Sequence, residues 1–219
     1  MRRKFKIFGK DGEVELRDEA DMSVFEEIFV DRDYRMVEGI LEKAQVVVDV
    51  GAHAGFFSLY ARMANADAKI YAFEPAADNF QMMKENHKMN RVKDVVLKNV
   101  AVAGEDGQRQ FVLSGDSHNH SFFGKGETIE VRAISLNTIF ERYRLDEVDL
   151  VKMDCEGAEF EILESFEKFG QVKAFYLEFH EYQPGMERDK LLNLLRNEGY
   201  KCQIFPSRYD SRMGFVFAI

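Results

Sequence analysis

The stretch VVVDVGAHAGFF, residues 46–57, decides how this chain is read. Three valines, Asp49 and Val50 form an apolar run suited to a buried strand, and it ends in a turn holding Gly51 and Gly55. Aromatic and helix-compatible residues follow at once, so the pattern is strand, glycine turn, helix. In open α/β sheets ligands bind where such a turn leaves the carboxyl end of a strand. Gly51 permits a backbone conformation that a side chain would obstruct. Gly55 lets the incoming helix pack closely or lets a ligand lie against the backbone. The spacing is Asp49-x-Gly51-x-x-x-Gly55, not the GxGxxG that admits a pyrophosphate, and an acid at the strand end suits a cationic ligand group better than a diphosphate. A tight turn without a ligand would leave the same trace.

The rest of the chain fits one domain. It has 219 residues, 46% of them hydrophobic, which is enough for a sizeable core and too few for two full α/β domains. Continuous apolar runs such as QVVVDV and KAFYLEF suit strands covered on both faces. Strands are predicted at 46–50, 69–73, 95–102, 148–153, 174–179, 201–205 and 214–219. Helices are predicted near 55–65, 78–90, 157–167 and 186–198, and extended segments at 109–113 and 127–133 interrupt the rhythm. The fold class is therefore α/β, a doubly wound, Rossmann-like sheet spanning residues 45–219. Residues 1–44 form an annex, with a β-hairpin over 4–16 turning at Asp11-Gly12, a capping box at Ser23 and Glu26, and two short helices.

A formal net charge of −9 opposes nonspecific nucleic-acid binding. No apolar run is long enough to span a membrane, and MRRKFKIFGK lacks the apolar core of a signal peptide, so a cytoplasmic protein is expected. Cys155 and Cys202 stand apart, without the spacing of a zinc site or a disulfide framework.

The second strand, KIYAFEP, ends in Glu74 about 20 residues past the glycine turn, where an acid can accept both hydroxyls of a ribose. Pro75 stops the strand. A nucleoside bearing an amino-acid-like positive end satisfies both motifs, and that ligand is S-adenosylmethionine. A surface carboxylate is the plainer reading of Glu74 alone.

DVGAHAGFFS, AFEPAADNFQMMKENHKMN and DLVKMDCEGAEFEIL, in that order, resemble the FkbM family of S-adenosylmethionine-dependent methyltransferases. The likeness runs from about residue 45 to residue 182, and KMDCEGAE is its most specific part. It implies a seven-stranded, mostly parallel sheet with its last strand antiparallel, and O-methylation as the typical activity. Two departures stand out: the family usually has Asn where His53 stands and Asp where Asn137 stands. The resemblance makes Asp49, Gly51, His53, Gly55, Glu74, Pro75, Asn99, Asp154 and Tyr34 the expected cofactor-binding residues. Tyr34 closes over the cofactor in this reading or else packs under the N-terminal helices. Asn99 approaches the adenine or else belongs to an edge loop.

Methyl transfer from a sulfonium is an in-line displacement, aided for an alcohol by a group that takes its proton. The candidates are Lys152, Asp154, Glu178 and His180 at the ends of two neighbouring strands. Asp154 would orient acceptor or methyl, and Glu178 or His180 would serve as base. The plainer alternative is an ion pair between Lys152 and Glu178. Glu156 and Glu159 are expected to cap the following helix. Asp154, Glu156, Glu178 and His180 offer ligands for a divalent metal, but their spacing does not favour one. Residues 114–127 read as a mobile loop over the acceptor pocket, with His118 and His120 as candidate contacts. The expected acceptor is a small molecule or glycan. RNA methylation and a non-catalytic nucleotide-binding module are the alternatives, and oligomeric state is not legible.

Overall fold

The computed structural model describes residues 1–113, 121–123, 126–182, 184–207, 210 and 212–219. The chain opens with a hairpin of β1 (Arg2–Ile7) and β2 (Lys10–Glu15). Its turn is Phe8-Gly9, both at positive φ, and not Asp11-Gly12. Gly12 instead lies opposite Phe5 in the ladder, and a Cβ there would come within 2.3 Å of the Phe5 ring. The first helix, α1 (Glu19–Phe25), begins at Asp18, whose carboxylate accepts from the Asp21 amide. Ser23 therefore falls inside the helix, where its hydroxyl donates to Glu27, and the expected capping box is not used. A π-helical turn, Glu26–Asp31, a 3-10 turn, Asp33–Val37, and the short α2 (Glu38–Leu41) lead into the sheet.

The sheet is assembled from β3 (Val46–Val50), β4 (Lys69–Phe73), β5 (Val95–Lys98), β9 (Leu150–Met153), β10 (Phe175–His180), β11 (Cys202–Pro206) and β12 (Met213–Ala218). Its order is β11-β12-β10-β9-β3-β4-β5, with β12 antiparallel to both of its neighbours and the central strands parallel. The connecting helices are α3 (Phe56–Ala64), α4 (Ala77–Met89), α6 (Glu159–Ser165) and α7 (Arg188–Asn197). From β3 the chain runs outward to β4 and β5, then returns to β9 on the other side. This reversal opens a crevice at the carboxyl ends of β3 and β9.

The expected strand 95–102 divides. After Lys98 the chain leaves the main sheet, and β6 (Ala101–Ala103) joins β8 (Glu127–Ser135) and β7 (Gly107–Leu113) in a second sheet ordered β6-β8-β7. From β8 the chain enters α5 (Leu136–Tyr143).

Strand alternation sends residues to two cores. Val48, Val50, Val151 and Met153 pack with α5, α6 and α7. Val47, Leu150 and Tyr176 face the other way, into a core shared with Val14, Phe25, Phe29 and Tyr34. The first 44 residues thus complete one face of the sheet. Asparagines of α4 tie the hairpin down: Glu15 N donates to Asn86 Oδ1 at 2.7 Å and Glu13 N to Asn90 Oδ1 at 3.0 Å. Among the described residues no helix is long and apolar enough to cross a membrane.

Candidate active site

The glycines serve the chain's own close approaches. Gly51 has φ +71°, and a Cβ there would lie 1.8 Å from the Asp154 carbonyl oxygen. Gly55, at φ +81°, would drive a Cβ to 2.6 Å from Met83 and 2.7 Å from the His87 ring on α4. The first glycine therefore seats the turn after β3 against the end of β9, and the second packs α3 on α4. Gly51 also lines the cavity described below, whereas Gly55 lies outside it.

Between them His53 also has positive φ, a conformation in which His and Asn are tolerated better than most residues. Its amide donates to Glu74 Oε2 at 2.8 Å. Its imidazole lies 3.4 Å from Asp21, which pairs with Arg17 at 2.7 Å. Arg17 donates in turn to Asn79, and Asn79 to Glu74 at 3.4 Å. The result is a closed ring, Glu74–His53–Asp21–Arg17–Asn79, joining the N-terminal annex to both cofactor turns. Burial works against the Asp21 charge, but the Arg17 side chain and amide hold its carboxyl below the usual range. No motif marks Arg17 or Asp21, and Asn79, though inside the AFEPAADNF stretch, carries no signal of this role.

Glu74 is 4% exposed. Its other oxygen accepts from the Ala76 amide at 2.9 Å. Burial pushes its pKa up to about 7 against these hydrogen bonds. Pro75 lines the cavity beside it. Asn99 does not: its amide donates to the carbonyls of Glu74 and Pro75, bracing the loop from behind. Its amide nitrogen is thus engaged with the loop after β4, in keeping with the edge-loop reading.

Lys152 is buried and donates to the Gly51 carbonyl at 2.8 Å, with Asp49 at 3.4 Å and Asp154 at 3.8 Å. Burial opposes its charge, but Asp49 and Asp154 outweigh it and hold the lysine above its ordinary pKa. The expected pairing with Glu178 is not made. Register explains why: Lys152 stands opposite Asp49 on β3 and opposite Tyr176 on β10, leaving Glu178 two residues further along. Asp49 is fully buried beside this lysine and is not among the residues that line the cavity.

His180 is fully buried among carboxylates, with Glu159 at 3.5 Å, Glu156 at 3.7 Å and Glu178 at 4.0 Å. Burial disfavours its charge, but Glu159, Glu156 and Glu178 raise its pKa to about 10. Holding its proton, it is unsuited to act as a base. Neither His180 nor Glu178 lines the cavity. Neither expected cap is used: α6 starts after Ala158 without a side-chain cap, and Glu159 accepts from the amides of Cys155 and Gly157 in the preceding turn. Glu156 instead accepts from the Tyr182 hydroxyl at 3.0 Å.

An open cavity of about 800 Å³ joins these parts. It runs from the glycine turn and Glu74 to Asp154, beneath Tyr34 and beside Phe122 of the second sheet's edge. Tyr34 is both cavity wall and core, with its ring 4.8 Å from Phe57 and 5.2 Å from Tyr176. Val24, Glu27 and Ile28 of the annex close one side. Glu27 was not foreseen. Although the residue is exposed overall, partial desolvation and then the charge of Asp154 raise the pKa of its carboxyl. His118 and His120, and most of the expected loop, lie outside the described residues.

Residues 49–202 match the model of the methyltransferase FkbM domain, and they span most of the chain. The chain belongs to the FkbM methyltransferase family. A curated relative, the 31-O-demethyl-FK506 methyltransferase FkbM of Streptomyces tacrolimicus, is 25% identical over 81% of this chain and 80% of its own length. The AMB antimetabolite synthetase AmbE of Pseudomonas aeruginosa is also 25% identical, over 83% of this chain but only 11% of that far longer protein. Among solved structures, M. jannaschii TYW2 in complex with AdoMet superposes with a TM-score of 0.51 at 14% identity, covering 99% of this chain and 84% of that one. As an FkbM-family methyltransferase this chain uses S-adenosylmethionine. The cavity suits that cofactor, since a buried, amide-supported carboxylate, Glu74, lines it where a ribose can be received.

Proposed function

We propose that this FkbM-family enzyme methylates a hydroxyl group of a small molecule or glycan. The observation that carries the reading is the cavity's far end, where two carboxylates, Glu27 and Asp154, line the space beyond the Glu74 turn. When bound, S-adenosylmethionine supplies a methyl group on a sulfonium, whose carbon–sulfur bond breaks with its electron pair staying on sulfur. Glu74 accepts the ribose hydroxyls. Tyr34 and Phe57 wall the cofactor from the annex side. Asp154 faces the methyl end of the cofactor and holds it in line with the acceptor oxygen, whose only proton is directed at Glu27. Glu27 takes the hydroxyl proton as the new oxygen–carbon bond forms, a role that falls to it because Glu178 and His180 do not reach the cavity. Val24, Ile28 and Phe122 contribute apolar walls beside the reacting oxygen.

The test is transfer of labelled methyl groups to a panel of hydroxylated compounds. Glu27→Gln should lower turnover by about 10²- to 10⁴-fold while leaving S-adenosylhomocysteine affinity unchanged. Incorporation into amines or RNA with none into hydroxyls, or full turnover in Glu27→Gln, would overturn this assignment.

A further inference from the structure

We infer that the ends of β9 and β10 form a divalent-cation site built from Asp154, Glu178 and His180. One ligand atom from each of the three lies within 4.8 Å of the other two. The backbone imposes this grouping: Glu178 and His180 alternate on one face of β10, and Asp154 leaves the parallel neighbour β9 on the same side.

His180 supplies the second, independent observation. Its side chain is 1% exposed, yet among the described residues neither ring nitrogen has a hydrogen-bond partner. A buried imidazole without hydrogen bonds is costly unless something else satisfies it. Its Nδ1 points toward Glu159 at 3.5 Å, and Glu159 is itself fixed by two backbone amides, from Cys155 at 2.7 Å and Gly157 at 2.8 Å. Its Nε2 faces the opposite way, toward Glu178 and Glu156. A histidine with one nitrogen backed by an immobilised carboxylate and the other turned to further acids has the arrangement of a metal ligand with its outer-shell partner.

The charge balance agrees. Asp154, Glu156, Glu159 and Glu178 surround His180, and the nearest other cation, Lys152, is shared with Asp49. Two carboxylates and an imidazole suit Mn²⁺, Fe²⁺ or Zn²⁺, and suit Ca²⁺ poorly. The side chains of Asp154 and Glu178 are 29% and 17% exposed, so the ion would be reached from solvent, and Asp154 connects it to the cavity. On the O-methylation reading above, its open position would bind the acceptor oxygen and make that hydroxyl easier to deprotonate.

The experiment needs neither acceptor nor turnover. Chelator-stripped protein is titrated with MnCl₂ and with ZnCl₂ by calorimetry, and Mn²⁺ binding is counted independently from loss of the free-ion paramagnetic resonance signal. Wild type should bind one ion per chain with a rise in melting temperature. Glu178→Gln, and Asp154→Asn as a second variant, should each weaken binding by about tenfold or more. Circular dichroism shows that the variants are folded, and S-adenosylhomocysteine is titrated into the same samples. That titration separates the two ideas: ion binding without nucleoside binding would sink the cofactor assignment alone. Lack of saturable binding up to millimolar Mn²⁺ and Zn²⁺, or equal affinity in wild type and Glu178→Gln, would overturn the site.

Discussion

Lys152 Nζ lies 3.4 Å from Asp49 Oδ1, and this buried pair pins the central strand to its neighbour at the end where the cavity begins. Removing one partner of a buried pair strands the other, which costs about 3–5 kcal/mol, whereas replacing both is often close to neutral. Lys152→Met should therefore unfold at markedly lower urea concentration, and the double variant Lys152→Met/Asp49→Asn should regain most of the loss. Equal destabilisation in single and double variants would show that the lysine acts by its bond to the Gly51 carbonyl instead.

The two glycines should respond differently to alanine. Both carry the penalty of positive φ, about 1–2 kcal/mol. At Gly51 the new Cβ also meets backbone, the Asp154 carbonyl, which can move only by shifting β9. At Gly55 it meets the Met83 and His87 side chains. Gly55→Ala should be partly rescued by Met83→Ala, and Gly51→Ala should find no such rescue. Thermal melts of the single and double variants check this.

Glu74 links pH to both stability and cofactor binding, with opposite signs. Its pKa is raised by burial from 4.5 to about 7. The folded protein thus favours the protonated acid. This contribution to stability is fully present below pH 4.5 and is lost as pH rises through 7, in total about 3 kcal/mol. The ribose, in contrast, is best received by the ionised form. S-adenosylhomocysteine affinity should rise about tenfold per pH unit up to pH 7 and then level off. Glu74→Gln should flatten both profiles in calorimetric titrations and pH-dependent melts.

Asn137 explains one departure from the family pattern. Its amide donates to the Ser165 carbonyl at 2.8 Å while its oxygen accepts from the Glu167 amide at 3.0 Å, tying the start of α5 to the end of α6. Aspartate would keep the acceptor and lose the donor, placing a carboxylate against a carbonyl. Asn137→Asp should cost about 1–3 kcal/mol at neutral pH, measured by urea unfolding.

What was legible in the sequence follows from range. Val46–Val50 and Lys69–Phe73 were read to the residue, because a strand buried on both faces is an unbroken apolar run. The hairpin turn was misplaced, since Asp11-Gly12 is the stronger local signal and only the packing of Phe5 across Gly12 shows why that glycine is there. The break after Lys98 is invisible in the sequence because β5 and β6 differ in their partners, Ile70 to Phe73 for one and Ala133 to Ser135 for the other. In the site, acids at strand ends could be named, but their pairing could not. Whether Lys152 meets Asp49 or Glu178 depends on register between strands far apart in sequence. Glu27, which lies on the annex and carries no motif, enters the cavity only through tertiary packing.

The most direct test of the account is a crystal structure of the protein with S-adenosylhomocysteine. The ribose hydroxyls should sit on the Glu74 carboxylate, with the sulfur at the Asp154 end of the cavity between Tyr34 and the glycine turn. A nucleoside bound away from Glu74, or with its sulfur turned from Asp154, would contradict the assignment of the site.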